Sequence, residues 1–160
     1  MKIRELVPED RDSVREALID CGGAFTKEEV RVALEMVDAG LKGDYSLLAA
    51  EIDGDVRAYA CIGRAFLTAS AWYLYWMCVH RSVQGAGVGR MLQARVEEFV
   101  QAAGGDRLIL ETSGRPDYER TRRFYRQAGF TAVGRIPDFY KPGDDCMVYC
   151  KVLGTSGTAE

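Results

Sequence analysis

The stretch from Trp72 to Val100 constrains this chain more than any other. It opens on an apolar, aromatic run, Trp72-Tyr73-Leu74-Tyr75-Trp76-Met77-Cys78-Val79, which reads as a buried strand. A polar break, His80-Arg81-Ser82-Val83, leads into Gln84-Gly85-Ala86-Gly87-Val88-Gly89-Arg90. Beyond it Val88, Met91, Leu92, Val96, Phe99 and Val100 recur at three- and four-residue steps, the period of a helix with one apolar face. Strand, glycine-rich turn and helix in that order build a site for a phosphate. Glycine lets the backbone come close to a ligand, and the unpaired N–H groups of a helix start point outward with the positive end of the dipole.

Spacing decides between the glycine loops that cradle phosphates. A P-loop ends in Gly-Lys-Ser/Thr, which is absent here, and the dinucleotide fingerprint G-x-G-x-x-G fails because Arg90 stands at its third glycine. Gln-x-x-Gly-x-Gly does fit, as Gln84, Gly87 and Gly89. This resembles the acyl-CoA pyrophosphate loop of the GCN5-related N-acetyltransferase (GNAT) superfamily. Further along, Phe124-Tyr125-Arg126-Gln127-Ala128-Gly129-Phe130 resembles the F/L-Y-x-x-x-G-F element of the same family, whose helix closes beside the CoA thiol. The two motifs fall in the family's order and on the matching elements. One position departs: many relatives carry a cofactor-contacting asparagine seven residues before the tyrosine, and Tyr118 stands there.

The rest of the chain agrees with this order. Ile3 to Val7 reads as a first strand, Pro8 opens a helix through Cys21, and Thr26 with Glu29 forms a capping box for a helix to Gly40. Two strands, Ser46 to Ile52 and Val56 to Leu67, flank the hairpin signal Asp53-Gly54-Asp55. After the organising stretch come a strand from Arg107 to Thr112, a helix from Asp117 to Ala128 capped by Gly129, a strand from Phe130 to Arg135, a polar loop from Pro137 to Asp145, and a strand from Cys146 to Leu153. The order is β-α-α-β-β-β-α-β-α-β-β, an α/β (α+β) fold with a mixed, mostly antiparallel central sheet and helices on both faces. That is the GNAT element order. A single domain over residues 1–153 is expected, with 154–160 a disordered tail. Trp72, Tyr73, Tyr75 and Trp76 should alternate along their strand, about two to each side.

Composition narrows the class. With 160 residues, 28% charged residues and a net charge of −3, no basic field recommends nucleic acid as a partner. No uncharged run approaches the ~20 residues of a membrane span, and Met1 to Leu6 contains no signal-peptide core. The five cysteines are odd in number, scattered and without a C-x-x-C pair, and there is one histidine, which argues against a structural metal site. A reduced, cytoplasmic protein that uses neither metal nor membrane is expected.

The resemblance implies transfer of an acetyl group from acetyl-CoA, as cosubstrate, to a primary amine by direct attack in a ternary complex. Amides from Gly85, Ala86, Gly87, Val88, Gly89 and Arg90 would bind the pyrophosphate in a loop that Gln84 opens, and Arg90 would add charge. Val79 N–H and Met77 C=O would hold the pantetheine and thioester where the fourth strand splays from the fifth. Tyr125 would protonate the leaving thiolate. No acid lies between positions 72 and 79, where relatives often carry a glutamate base, so water or Glu111 would take the amine proton. His80 reads as a solvated residue, and no Ser-His arrangement suggests a covalent intermediate. The acceptor would be a small-molecule amine or a peptide N-terminus, and a homodimer is left open. Asp138, Asp144 and Asp145 are candidates for attracting a cationic acceptor. The alternative is an acyl-CoA-binding sensor of the same fold without turnover.

Overall fold

A computed structural model describes residues 1–22 and 25–154. The tail expected to be disordered lies, from 155 on, outside the described residues. Seven strands and four α-helices follow one another among them: β1 (Lys2–Glu5), α1 (Arg11–Ile19), α2 (Lys27–Gly40), β2 (Ser46–Ile52), β3 (Asp55–Arg64), β4 (Ala71–Val79), α3 (Val88–Ala102), β5 (Arg107–Ser113), α4 (Glu119–Gln127), β6 (Thr131–Lys141) and β7 (Asp144–Val152). This is the order read from the sequence. The strands run β1-β2-β3-β4-β5-β7-β6 across one sheet. Pairs β1–β2, β2–β3, β5–β7 and β6–β7 are antiparallel, and β4–β5 is parallel. Among the described residues no helix is long and apolar enough to cross a membrane.

Local chemistry accounts for the element ends. Asp53 and Gly54 both adopt positive φ, 55° and 92°, the two-residue turn that matches the twist of β2 and β3. The capping box closes the start of α2: Thr26 N–H donates to Glu29 Oε2 at 2.7 Å and Glu29 N–H to Thr26 Oγ1 at 3.2 Å. Pro8 opens a 3-10 turn, Pro8–Asp10, before α1 begins at Arg11. Strand β3 stops at Arg64, short of the expected Leu67, and Phe66 and Leu67 lie exposed in the turn that follows.

The described residues fall into two compact units, one with those of 1–63 and 74–98 and the other with those of 64–73 and 99–154. In the first, Val14, Ala17 and Leu18 of α1 and Ala33, Leu34 and Val37 of α2 pack on Leu47, Ala49, Tyr59, Cys61 and Cys78. In the second, Trp72 meets Phe99 edge to face at 6.0 Å, and Leu108, Leu110 and Tyr149 are buried.

Two expectations change. The loop expected from Pro137 to Asp145 is instead strand and hairpin. Pro142 and Gly143 form the turn, with Gly143 at φ 81°, and Lys141 pairs with Asp144. Proline then glycine at positive φ is the signature of a type II turn, and the acidic residues around it obscured that signal. The alternation of the β4 aromatics also fails. Tyr75 packs on Tyr45 at 5.4 Å, and Trp76, the next residue, packs on Phe25 at 5.3 Å. Tyr45, Trp76 and Phe25 all pack against the core cluster beneath α1 and α2, so two consecutive side chains reach one side of the sheet.

A half-buried ion pair ties β1 to the start of α1. Arg4 donates to both Asp10 oxygens at 2.7 and 2.9 Å and to Glu51 at 2.7 Å. The guanidinium holds the Asp10 carboxyl below its ordinary value. A depressed folded pKa gives stability that is present above the unfolded value near ~3.9 and lost as pH falls through the folded one. Asp10→Asn should therefore cost about 2 kcal/mol at pH 7, and the deficit should shrink toward zero as pH falls below the carboxylate range. Denaturant melts of both proteins at pH 7 and in acid check this.

Candidate functional site

Strand β4 ends at Val79, and the segment after it is fastened to the end of α1. Arg81 N–H donates to Asp20 O at 2.8 Å, while Arg81 Nη2 lies 2.6 Å from Asp20 Oδ1. His80 Nδ1 accepts Ser82 N–H at 3.2 Å and lies 2.8 Å from Ser82 Oγ. The neutral ring then carries its proton on Nε2, which faces Asp20 Oδ2 at 3.3 Å. The His80 side chain is 13% exposed, so it caps a turn and faces a carboxylate, where a solvated residue had been expected. The Ser82–His80–Asp20 contacts are a helical-turn cap, because the Ser82 backbone amide occupies the same ring nitrogen as its hydroxyl.

Gln84 completes the fastening. Its Nε2 donates to Val79 O at 2.9 Å and to Cys21 O at 3.0 Å, joining the end of β4, the loop and the end of α1. The first residue of the glycine motif thus braces the loop with its side chain. Gly85 and Gly87 follow at φ 81° and 83°, and an added Cβ would meet nothing within 4 Å at either one. Backbone conformation, not crowding, is what requires glycine there, and the space beside both residues is open.

Helix α3 starts at Val88, directly after Gly87. Met91 N–H reaches Gly87 O at 3.1 Å, while the amides of Val88, Gly89 and Arg90 belong to the helix start, which has no intrahelical acceptors. Val88, Leu92, Val96 and Val100 are buried, which fixes the direction of the helix behind those amides. Arg90 is exposed and makes no ion pair among the described residues. Left-handed glycines, open space, helix-start amides and an exposed cation together suit a pyrophosphate.

Met77 and Val79 lie farther along β4 than its registered pairs with β5, Ala71↔Arg107, Trp72↔Leu108 and Tyr73↔Ile109. Val79 O is engaged by Gln84, and His80 N–H donates to Arg57 O at 2.7 Å. The same unit therefore brings together Met77, Val79, Gln84, Gly85, Ala86, Gly87, Val88, Gly89 and Arg90.

Tyr125 belongs to the second unit. Its motif has a local physical explanation. Gly129, at φ 92°, follows α4, with Phe130 N–H bonding Tyr125 O at 3.0 Å and Gly129 N–H bonding Arg126 O at 3.1 Å. This is a Schellman cap, and its accompanying apolar contact is the 5.6 Å edge-to-face pair of Tyr125 with Phe130. Phe124 adds a second ring at 5.3 Å, and Tyr125 is buried. Sequence reasoning missed the clamp beneath this helix: buried Arg122 donates to Ser113 O at 2.6 Å, Arg115 O at 2.8 Å and Glu119 at 2.9 Å. An arginine amid the basic run Arg120, Arg122, Arg123 and Arg126 carries no signal that one member turns inward.

The acids of the β6–β7 hairpin are engaged inside it. Asp144 is buried against Ser113 Oγ. Asp145 pairs with Arg135 and accepts Asp138 N–H at 2.9 Å, and these partners hold its carboxyl below the usual range. Asp138 Oδ1 accepts Gly143 N–H at 2.7 Å. These residues build the turn, which leaves little carboxylate to draw in a cation.

Residues 11–130 match the sequence model of the Acetyltransferase (GNAT) family. A mycothiol acetyltransferase of Beutenbergia cavernae is 33% identical over 112 residues, a match covering 69% of this chain and 36% of that protein. The chain thus spans about a third of that relative's length. The structure of an acetyltransferase assigned to the GNAT family, from Desulfovibrio desulfuricans, superposes with a TM-score of 0.91 at 39% identity, over 96% of this chain and 99% of that one. An aminoglycoside 6'-N-acetyltransferase complexed with coenzyme A shares the fold at TM-score 0.78 and 18% identity, over 98% and 99% of the two chains.

The hairpin geometry yields a prediction. Asp145→Ala removes an ion pair and the acceptor for Asp138 N–H, so it should lower the melting temperature without selectively weakening binding of a cationic amine. Thermal melts with amine titrations check it; an unchanged melt with weakened amine binding would return the residue to the acceptor site.

Proposed function

The chain belongs to the GNAT acetyltransferase family, and from that membership we propose that it transfers an acetyl group from acetyl-CoA to a primary amine. One observation carries the reading: two left-handed glycines with open space beside them lead into the amides at the start of α3. That arrangement favours a pyrophosphate, and the Gln84 brace keeps it in register with the end of β4.

In this reading the amides from Gly85 to Arg90 bind the pyrophosphate and the Arg90 guanidinium adds charge. Val79 N–H and Met77 C=O hold the pantetheine and thioester. Holding donor and acceptor together supplies the proximity term of the rate. The amine nitrogen attacks the thioester carbonyl carbon, forming the C–N bond and moving the carbonyl pair onto oxygen. Collapse of that oxyanion breaks the C–S bond, and CoA leaves as thiolate. Tyr125 gives its phenolic proton to the sulfur and regains one from solvent. The surplus amine proton passes to water or to Glu111, since β4 carries no carboxylate. Residues 1–153 act as one catalytic domain on a small-molecule amine or a peptide N-terminus. Five free thiols support a reducing, cytoplasmic setting.

Thiol chemistry is not part of the proposal. Burial pushes the Cys61 thiol up to about 12 and Cys78 higher still, so both stay protonated and unreactive near neutrality.

Tyr125→Phe isolates the hydroxyl, because the ring and the carbonyl that build the Schellman cap remain. General acid assistance is typically worth ~10²–10⁴-fold, so kcat should fall by about that much while the KM for acetyl-CoA hardly moves. Steady-state assays of CoA release over a panel of amines check this. Wild-type turnover by the folded variant would remove Tyr125 from the chemistry. Tight acetyl-CoA binding by the wild type with no turnover on any amine would favour a sensor.

A further inference from the structure

Four aromatic rings and a thioether gather on one side of the first unit, leading along β4 to the residues assigned to the thioester. Trp76 meets Phe25 edge to face at 5.3 Å and donates its indole N–H to Met36 Sδ at 3.0 Å. Tyr75 meets Tyr45 edge to face at 5.4 Å. Gly63 makes room for this second pair: a Cβ there would stand 3.1 Å from the Tyr75 ring and 3.3 Å from the Tyr45 ring. The break in alternation at Tyr75 and Trp76 is what brings both pairs to the same side.

The rings are not sealed in the core. Tyr75 is 41% exposed, and Phe25, Met36, Tyr45 and Trp76 are half-buried. Aromatic surface grouped this way and left partly in water offers an apolar group a place to bind. Most neighbouring carboxylates are engaged elsewhere, and Asp44, exposed beside Tyr45, makes no ion pair among the described residues. All four acids of α2 have partners: Glu28 and Glu35 pair with Arg31, Asp38 pairs with Arg11, and Glu29 accepts Thr26 N–H. Asp20 is held by Arg81 and His80. A polycation would find ring faces here and few unengaged charges. An amine carried on an aromatic or apolar body would find ring edges and faces to pack against, with its ammonium able to sit over a ring.

Position along the strand gives the wall its role. Val79 lies three residues beyond Trp76, about 10 Å at the rise of a strand. A body resting on Trp76 and Tyr75 can therefore hold an amine near the thioester end of β4.

We propose that Phe25, Tyr45, Tyr75 and Trp76 form the acceptor-recognition wall, and that it selects a primary monoamine on an aromatic or apolar body over polyamines and aminoglycosides. The assignment rests on the acetyl-transfer reading, and its test separates the two. Calorimetric titrations into the CoA-saturated protein compare 2-phenylethylamine, n-hexylamine, spermidine and an aminoglycoside, independently of turnover. The aromatic amine should bind about tenfold tighter than spermidine. Tyr75→Ala and Trp76→Leu should each remove most of that margin while CoA affinity stays within about twofold. Gly63→Ala, which displaces the Tyr45–Tyr75 pair without removing a ring, should act in the same direction. Tighter binding of spermidine or the aminoglycoside, or wall variants that bind 2-phenylethylamine as the wild type does, would overturn the wall. Consumption of acetyl-CoA with the same amines is measured in parallel. No turnover alongside the expected binding pattern would refute the transfer reading and leave the wall standing as a ligand site.

Discussion

A side-chain amide ties the loop to two neighbouring segments. Gln84 Nε2 bridges Val79 O, where β4 ends, and Cys21 O, just beyond α1. Without that bridge the path from strand to helix would turn on Gly85 and Gly87 with less to fix its course, since glycine loses more conformational freedom on folding than any other residue. With it, the left-handed turns at Gly85 and Gly87 always deliver the chain to α3 in one orientation. The ion pair of Asp20 with Arg81 and the His80 turn cap reinforce the same seam. The loop's glycines thus shape the turn, and its glutamine anchors the turn to β4 and to the chain beyond α1.

How much of this could be read beforehand follows from the range of the interactions concerned. The Asp53-Gly54 turn, the Thr26–Glu29 box, the Gly129 cap and the glycine loop are all set by neighbours within a few residues, and the sequence displayed each of them. The β6–β7 hairpin was missed although Pro142-Gly143 is a local signal, because the surrounding acids looked like solvated loop. Those acids are engaged by Arg135, Ser113 and backbone amides that the hairpin itself brings close. The contact of His80 with Asp20 and the shared side of Tyr75 and Trp76 depend on partners distant in sequence, while Arg122 bonds residues only three to nine positions away that its basic run does not single out.

Tyr125 shows how one motif can carry two kinds of information. Its carbonyl and its ring belong to the Schellman cap with Gly129 and Phe130, so the F-Y-x-x-x-G-F pattern would be satisfied structurally by phenylalanine as well. What tyrosine adds is the hydroxyl, and that is the group assigned to chemistry. Gln84 divides in the same way: it opens a motif read as cofactor-binding, yet its side-chain nitrogen holds backbone carbonyls. In both cases a residue of the motif also holds its own segment still.

Acetyl-CoA binding in the proposed reaction depends most on the loop from Gln84 to Arg90 as the site of a pyrophosphate. The most direct measurement is a pair of calorimetric titrations of the wild-type protein, one with CoA and one with pantetheine, which has the thiol arm but no nucleotide or pyrophosphate. Binding through helix-start amides, a left-handed glycine turn and Arg90 predicts that CoA binds at least about 100-fold tighter, some 2.7 kcal/mol, with a margin that narrows as salt rises. Equal affinities for the two ligands, at low salt and at high, would contradict it.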